Sequence, residues 1–179
     1  MPAVESVVQK LAAAQSGLLR AADAVSAEQW QSQPGPGRWS AAEVTCHLMI
    51  IERAILGAAD RCVQAPPKRF SAIKRWHLPV GLSSSRLIPL KTPLPLDPEL
   101  IREKEAMLGE LREVRERTLA FMAETSSRDL SVYCWPHPFL GVLNAYEWME
   151  MIAGHEVRHT KQMREIANSL PKVVASLQK

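Results

Sequence analysis

No window of the 179 residues approaches the roughly 18 consecutive apolar side chains, free of proline and charge, that a membrane-spanning helix needs. The N-terminus also lacks a basic-then-apolar leader pattern, so a cytoplasmic protein with no membrane span is expected. Cysteine is scarce: Cys46, Cys62 and Cys134 are an odd, widely spaced set without a CxxC pair. That argues against a disulfide framework and a zinc ribbon, and leaves small buried hydrophobes as the plain reading of all three. An excess of one charge is missing too. The 22 basic and 19 acidic side chains are mostly interleaved and sum to a formal +3, too weak a bias for a polyanionic partner, so no nucleic acid is expected. Strand-like alternation and internal repeats are absent. What remains is ordinary globular usage, 46% hydrophobic and 23% charged, in a chain of one-domain length. A single domain over residues 1–179 can bury a core without staples.

Helical spacing fills the rest. Val4, Val7, Val8, Leu11, Leu18 and Val25 form one apolar stripe, predicting a first helix over about residues 3–24, and Gln33-Pro34-Gly35-Pro36-Gly37 then breaks it. Ser40 with Glu43 reads as a capping box, and Trp39 with Val44 as a hydrophobic staple, opening a second helix that runs to about Gln64 before Pro66-Pro67. Residues 65–97 carry six prolines and predict a long crossover with at most a short helix around Phe70 to Trp76. Such a connection can span the bundle and leave the second and third helices parallel. Asp97-Pro98-Glu99 is a capping signal for a third helix to about Ala123, whose seam is Met107, Leu111, Val114, Thr118 and Phe121 and whose charge run is read as solvated surface. Asn144 with Glu147 opens a fourth helix over about residues 145–169. The fold class expected is all-α, a four-helix bundle with a long crossover between helices two and three.

His155 and His159 stand four apart on the last helix, so their imidazoles share one face, a spacing that suits two ligands of one metal. Trp148, Ile152, Met163 and Ile166 place that face toward the core. Two core histidines satisfied by hydrogen bonds would give the same pattern. His47, bordering the apolar stripe of the second helix, adds a third neutral nitrogen, and three histidines plus water is the open arrangement of a catalytic zinc site. His155-Glu156-Val157-Arg158-His159 also matches HExxH, but too little chain follows to supply a protease's third ligand. Glu156, one step from His155, is a secondary catalytic candidate. His77 and His137 read as loop residues, and the basic and aromatic mixture Lys68-Arg69-Phe70 and Lys74-Arg75-Trp76 as solvated loop.

Trp39-Ser40-Ala41-Ala42-Glu43-Val44 leading into His47-Leu48, then His137-Pro138-Phe139-Leu140-Gly141, Glu147-Trp148 and His155-Glu156-Val157-Arg158-His159, resembles the DinB-like (YfiT-like) superfamily over nearly the whole chain. The resemblance implies an up-down-down-up bundle, often dimeric, with a divalent metal held at His47, His155 and His159. Zinc or nickel is the implied ion. A low-molecular-weight thiol such as bacillithiol or mycothiol is an implied cosubstrate, and a small molecule the implied substrate. Chemistry through such a site is either thiol activation, as in a thiol S-transferase, or water activation, as in a hydrolase. The other class of reading is a non-enzymatic binding or regulatory module with a structural metal or none.

Overall fold

The computed structural model describes residues 2–68, 70–71, 76–85 and 94–171. Four helices carry it: α1 (Pro2–Asp23), α2 (Ala41–Gln64), α3 (Lys104–Glu124) and α4 (Ala145–Ser169). Both capping boxes expected from sequence form. Ser40 Oγ accepts from the Glu43 amide at 3.2 Å while the Glu43 carboxylate accepts from the Ser40 amide at 2.7 Å. Asn144 and Glu147 repeat the exchange at 3.1 and 2.8 Å. Each box satisfies two amides that a helix start otherwise leaves without partners.

Pairings along the helices give their directions. Cys46 meets Asp97, Glu52 meets Arg115 and Val63 meets Arg128, so α2 and α3 run parallel. Lys10 meets Glu150 and Gln29 meets Pro171, so α1 and α4 also run parallel. Gln15 on Leu111 and Lys104 on Val25 make α1 and α3 antiparallel. The result is the up-down-down-up bundle, and its seams divide the core between two apolar clusters. One is built around Leu11, Phe121, Leu143 and Met149, the other around Leu18, Trp30, Met49 and Met163. No described helix is long and apolar enough to cross a membrane.

Three expectations are corrected. First, α3 does not begin at Asp97. The Asp97 side chain caps only a 3-10 turn, Pro98–Leu100, and Ile101 is already extended. Leu96, Leu100 and Ile101 pack on the second core cluster, and the Arg102 amide donates to the Met107 sulfur at 3.3 Å. Tertiary packing at the end of the bundle therefore outweighs the local capping signal. Second, a hairpin precedes α4: β1 (Cys134–His137) pairs antiparallel with β2 (Gly141–Asn144), Cys134 opposite Asn144 and His137 opposite Gly141. Four-residue strands interrupted by Pro136 are too short to show alternation. Third, the crossover contains a 3-10 helix, Val80–Ser84, against α4. The short helix expected around Phe70 to Trp76 falls largely on residues 72–75, outside the described residues.

The crossover is latched to the hairpin. His77 bridges to Gly141, and the Leu78 amide donates to the Leu140 carbonyl at 2.8 Å. Gly141 has φ +104°, and a Cβ there would lie 2.9 Å from the Trp76 carbonyl oxygen. A side chain would thus be strained and would collide with backbone. Gly141→Ala is expected to cost about 1–3 kcal/mol, read as a lowered urea midpoint with unchanged m-value. An unchanged midpoint would show that the latch contributes nothing to stability.

Candidate functional site

Helices α2 and α4 bring His47, His155 and His159 together. His155 Nε2 lies 3.2 Å from His47 Nε2 and 3.1 Å from His159 Nε2, with ring centroids 4.6 to 5.0 Å apart. One ligand atom from each falls within 4.8 Å of the others, so the three histidines are positioned to hold a metal ion. Zinc–nitrogen bonds of about 2.0–2.1 Å in a tetrahedron require nitrogen separations of roughly 3.3–3.4 Å, close to those found.

The proton inventory supports the same fit. His159 Nδ1 lies 2.9 Å from Gln162 Oε1, an acceptor, so the Nδ1–H tautomer is fixed and Nε2 presents a lone pair. His155 Nε2 faces two nitrogens at once, and a single imidazole N–H points only one way. Lone pairs therefore face one another in the centre, an arrangement that a cation relieves. Trp39 closes the cluster from one side, its ring 5.1 Å from His47 and stacked on His159 at 6.3 Å.

Burial sets the charge state. His47 is 4% exposed, and desolvation pulls its pKa down to about 4. Burial, then the neighbouring His159 and His47 rings, then Arg158, hold His155 well below its ordinary value. Neutral imidazoles at pH 7 are the form that coordinates a metal.

Glu156 turns elsewhere. Its Oε2 accepts from Arg115 Nη2 at 2.9 Å, and its Oε1 has no partner among the described residues. Arg115 also reaches Glu52 through Nε at 2.8 Å and Nη2 at 3.0 Å. Burial works against the Arg115 charge, but the Glu52 and Glu156 carboxylates more than restore it and raise its pKa. Glu156 shares that guanidinium with Glu52, and burial, only partly offset by Arg115, pushes its carboxyl up to about 7.

The signs of these shifts oppose. Imidazoles depressed by folding contribute stability that is present above the unfolded value near 6.5 and lost as pH falls through about 4. A raised carboxyl contributes stability below its unfolded 4.5 that is lost as pH rises through about 7. Near pH 5, His47 and His155 together outweigh Glu156, and the excess shrinks toward pH 6.5 as the unfolded histidines lose their protons. Metal-free protein is therefore expected to lose denaturant stability as pH falls through that window. A flat profile would contradict neutral, buried imidazoles.

The histidines form part of the wall of a cavity of about 910 Å³ between α2, α4, the hairpin and the crossover. Glu156 is not among its lining residues, and no Asp or Glu is among the described ones. Of the two histidines read as loop residues, His137 instead ends β1 and lines the cavity, and both have structural roles. His137 Nδ1 accepts from the Phe139 and Leu140 amides at 3.1 Å each, pinning the hairpin turn, and its ring meets Trp148 at 4.9 Å inside the cavity wall. His77 Nε2 pairs with Glu147 at 3.0 Å. Cys46 and Cys134 are buried as expected, while Cys62 is half-buried, and none of the three forms a disulfide among the described residues. Burial pushes the Cys46 thiol up, and it donates to the Asp97 carbonyl, away from the imidazoles.

Sequence reasoning missed Gln162 and the true place of Trp39. Gln162 stands three residues beyond His159 on the same helical face, a spacing that could have revealed it. Trp39 reads as a staple and does pack on the cluster that holds Val44, but its ring also lies against the imidazoles.

A family model, that of the DinB superfamily, matches residues 10–163, a span that contains all three histidines. The uncharacterized protein YuaE of Bacillus subtilis (strain 168) is 30% identical over 149 residues, which cover 82% of this chain and 88% of that protein. No solved structure matches the chain.

Proposed function

This chain belongs to the DinB superfamily, and from that premise we propose that it is a metal-dependent enzyme. In this reading His47, His155 and His159 hold one divalent ion, zinc or nickel, with a further position open toward the cavity for a small-molecule substrate. The observation that carries it is the convergence of three imidazole Nε2 atoms in the wall of a large cavity. A divalent ion there supplies Lewis acidity, lowering the pKa of whatever thiol or water fills its open position.

The chain's own residues do the rest. Gln162 holds the His159 tautomer, and Trp39 fixes two ring planes beside a largely apolar wall. Either a thiol or water can fill that position: the cavity offers no carboxylate among its described residues, so in both cases the lowered pKa of the bound group, and not a carboxylate base, would supply the nucleophile. In a thiol transfer, the S–H proton leaves to solvent, sulfur bonds to the electrophilic carbon, and the leaving group departs with its electron pair. Glu156, held by Arg115, is assigned to the scaffold. The dimeric state implied by the family resemblance and the cytoplasmic setting expected from the sequence belong to the same proposal.

Cobalt(II) loaded into metal-free protein and titrated with 2-mercaptoethanol tests it. A new near-ultraviolet sulfur-to-cobalt charge-transfer band, with altered visible ligand-field bands, is expected. A spectrum unmoved by thiol would mean a closed, structural site and would favour the non-enzymatic module.

A further inference from the structure

The cavity beside the histidines has a distinctive chemistry along its length. Its permanently charged lining residues among those described are Arg38 and Arg158, both cations, and no Asp or Glu is among them. Both stand next to the histidine cluster. Arg38 directly precedes Trp39, whose ring covers His47 and His159, and Arg158 lies on α4 between His155 and His159, close enough for its charge to act on His155. Arg38 forms no ion pair with any described residue. Arg38 is exposed at the mouth of the cavity and Arg158 is half-buried, so two like charges give this end a positive potential.

Away from the histidines the wall turns apolar. Ile51 and Ile55 follow His47 on α2, and Met151 and Trp148 precede His155 on α4. At 1.5 Å of rise per helical residue they lie about 6–12 Å from the histidines along both helices. Trp148 stacks on Trp135 at 5.2 Å with an 8° interplanar angle, a flat aromatic wall held by the Trp148 Nε1 donation to the Trp135 carbonyl at 3.2 Å. Leu82 of the crossover and Leu140 of the hairpin also line this region. About 910 Å³ is far more space than a small thiol or a water molecule fills, and lies in the range of drug-sized ligands.

We infer that this cavity takes an organic anion with a bulky, flat apolar body, its charged group at the Arg38 and Arg158 end and its body along the tryptophan wall. The inference rests on the proposed function in naming the substrate class of the same site, the anionic end being the one brought toward the metal position. It identifies an aromatic or polycyclic acid of about 10 Å in length as the electrophile or its carrier, as opposed to a sugar, a peptide or a neutral hydrocarbon.

Two dyes with the same body separate charge from hydrophobicity: 8-anilinonaphthalene-1-sulfonate and its uncharged counterpart N-phenyl-1-naphthylamine. Both are titrated by fluorescence into metal-free wild type, Arg38→Gln, Arg158→Gln and Ala54→Phe, with circular dichroism confirming that each variant is folded. Ala54 lines the cavity from α2, so the phenyl ring should fill it. One-to-one binding is expected, with the sulfonate weakened about tenfold or more by either arginine change and the neutral dye by less than about twofold. Ala54→Phe should weaken both dyes. Equal responses of the two dyes to the arginine changes, or dye binding untouched by Ala54→Phe, would overturn the inference. Metal content of the same preparations is read separately. Charge-selective binding in a protein that never takes up metal would keep this inference and remove the proposed function, and a metal-loaded protein without charge selectivity would do the reverse.

Discussion

Arg115→Met is expected to lower the unfolding free energy by about 3–5 kcal/mol, enough to remove a large part of the stability of an ordinary domain. Arg115 is 1% exposed and touches every helix of the bundle. Its guanidinium donates to the Leu11 carbonyl on α1, to both Glu52 oxygens on α2 and to Glu156 on α4, while Thr118 of α3 donates to Glu52 Oε1 at 2.8 Å. Methionine fills similar space but leaves two buried carboxylates facing each other without a cation. Those groups then either stay charged at high cost or take up protons. The urea midpoint at pH 7 reads the loss, and it should shrink toward pH 5 as the carboxyls protonate. Replacing Glu52 and Glu156 by leucine in the same background should recover much of the stability, because a buried ion network is often no better than apolar packing. A single Arg115→Met variant within about 1 kcal/mol of wild type would show that the network carries little of the fold's specificity or stability.

His155→Ala should do the opposite, sparing the fold and removing the metal. His155 Nε2 is the atom nearest both other imidazoles, so its loss leaves two ligands that no longer enclose a common point. Metal at about 1,000 times its dissociation constant should stabilise wild-type protein by about 4 kcal/mol, since it binds the folded state alone. In His155→Ala the same addition should produce almost no shift in Tm. The metal-free variant should remain as stable as metal-free wild type or gain slightly, because burying a neutral imidazole against two others is not favourable in itself. Equal metal-induced shifts in the two proteins would place the ion elsewhere.

Legibility in the sequence followed the range of the interactions. Helices α1, α2 and α4 are written locally, in capping residues and proline stops, and their bounds agree with the spacing to within a residue or two. The start of α3 is not, because Leu96, Leu100 and Ile101 answer to a distant apolar cluster and not to Asp97. The hairpin escaped because its pairing depends on Gly141 and on contacts with the crossover, about 60 residues away in sequence.

The buried charges were legible in principle. Leu48, Glu52 and Ile55, then Leu111, Arg115 and Thr118, then Ile152, Glu156 and Met163, put each charged residue on an apolar stripe at steps of three, four or seven residues. The charge run read as solvated surface, Arg112 and Glu113 with Glu116 and Arg117, is exposed, but Arg115 between them shares the seam and was not singled out. The histidine cluster was half visible: spacing joins His155 to His159, but only the antiparallel packing of α2 on α4 brings His47 to them. The cavity was invisible, being walled by the crossover and hairpin.

The most direct test of the central claim is elemental analysis of untagged wild-type and His47→Ala proteins after metal repletion and dialysis against trace-metal-free buffer. Near-stoichiometric divalent metal in the wild type, lost in His47→Ala while both remain folded, is the predicted result. No retained metal in the wild type, or equal metal in both proteins, would contradict a three-histidine centre.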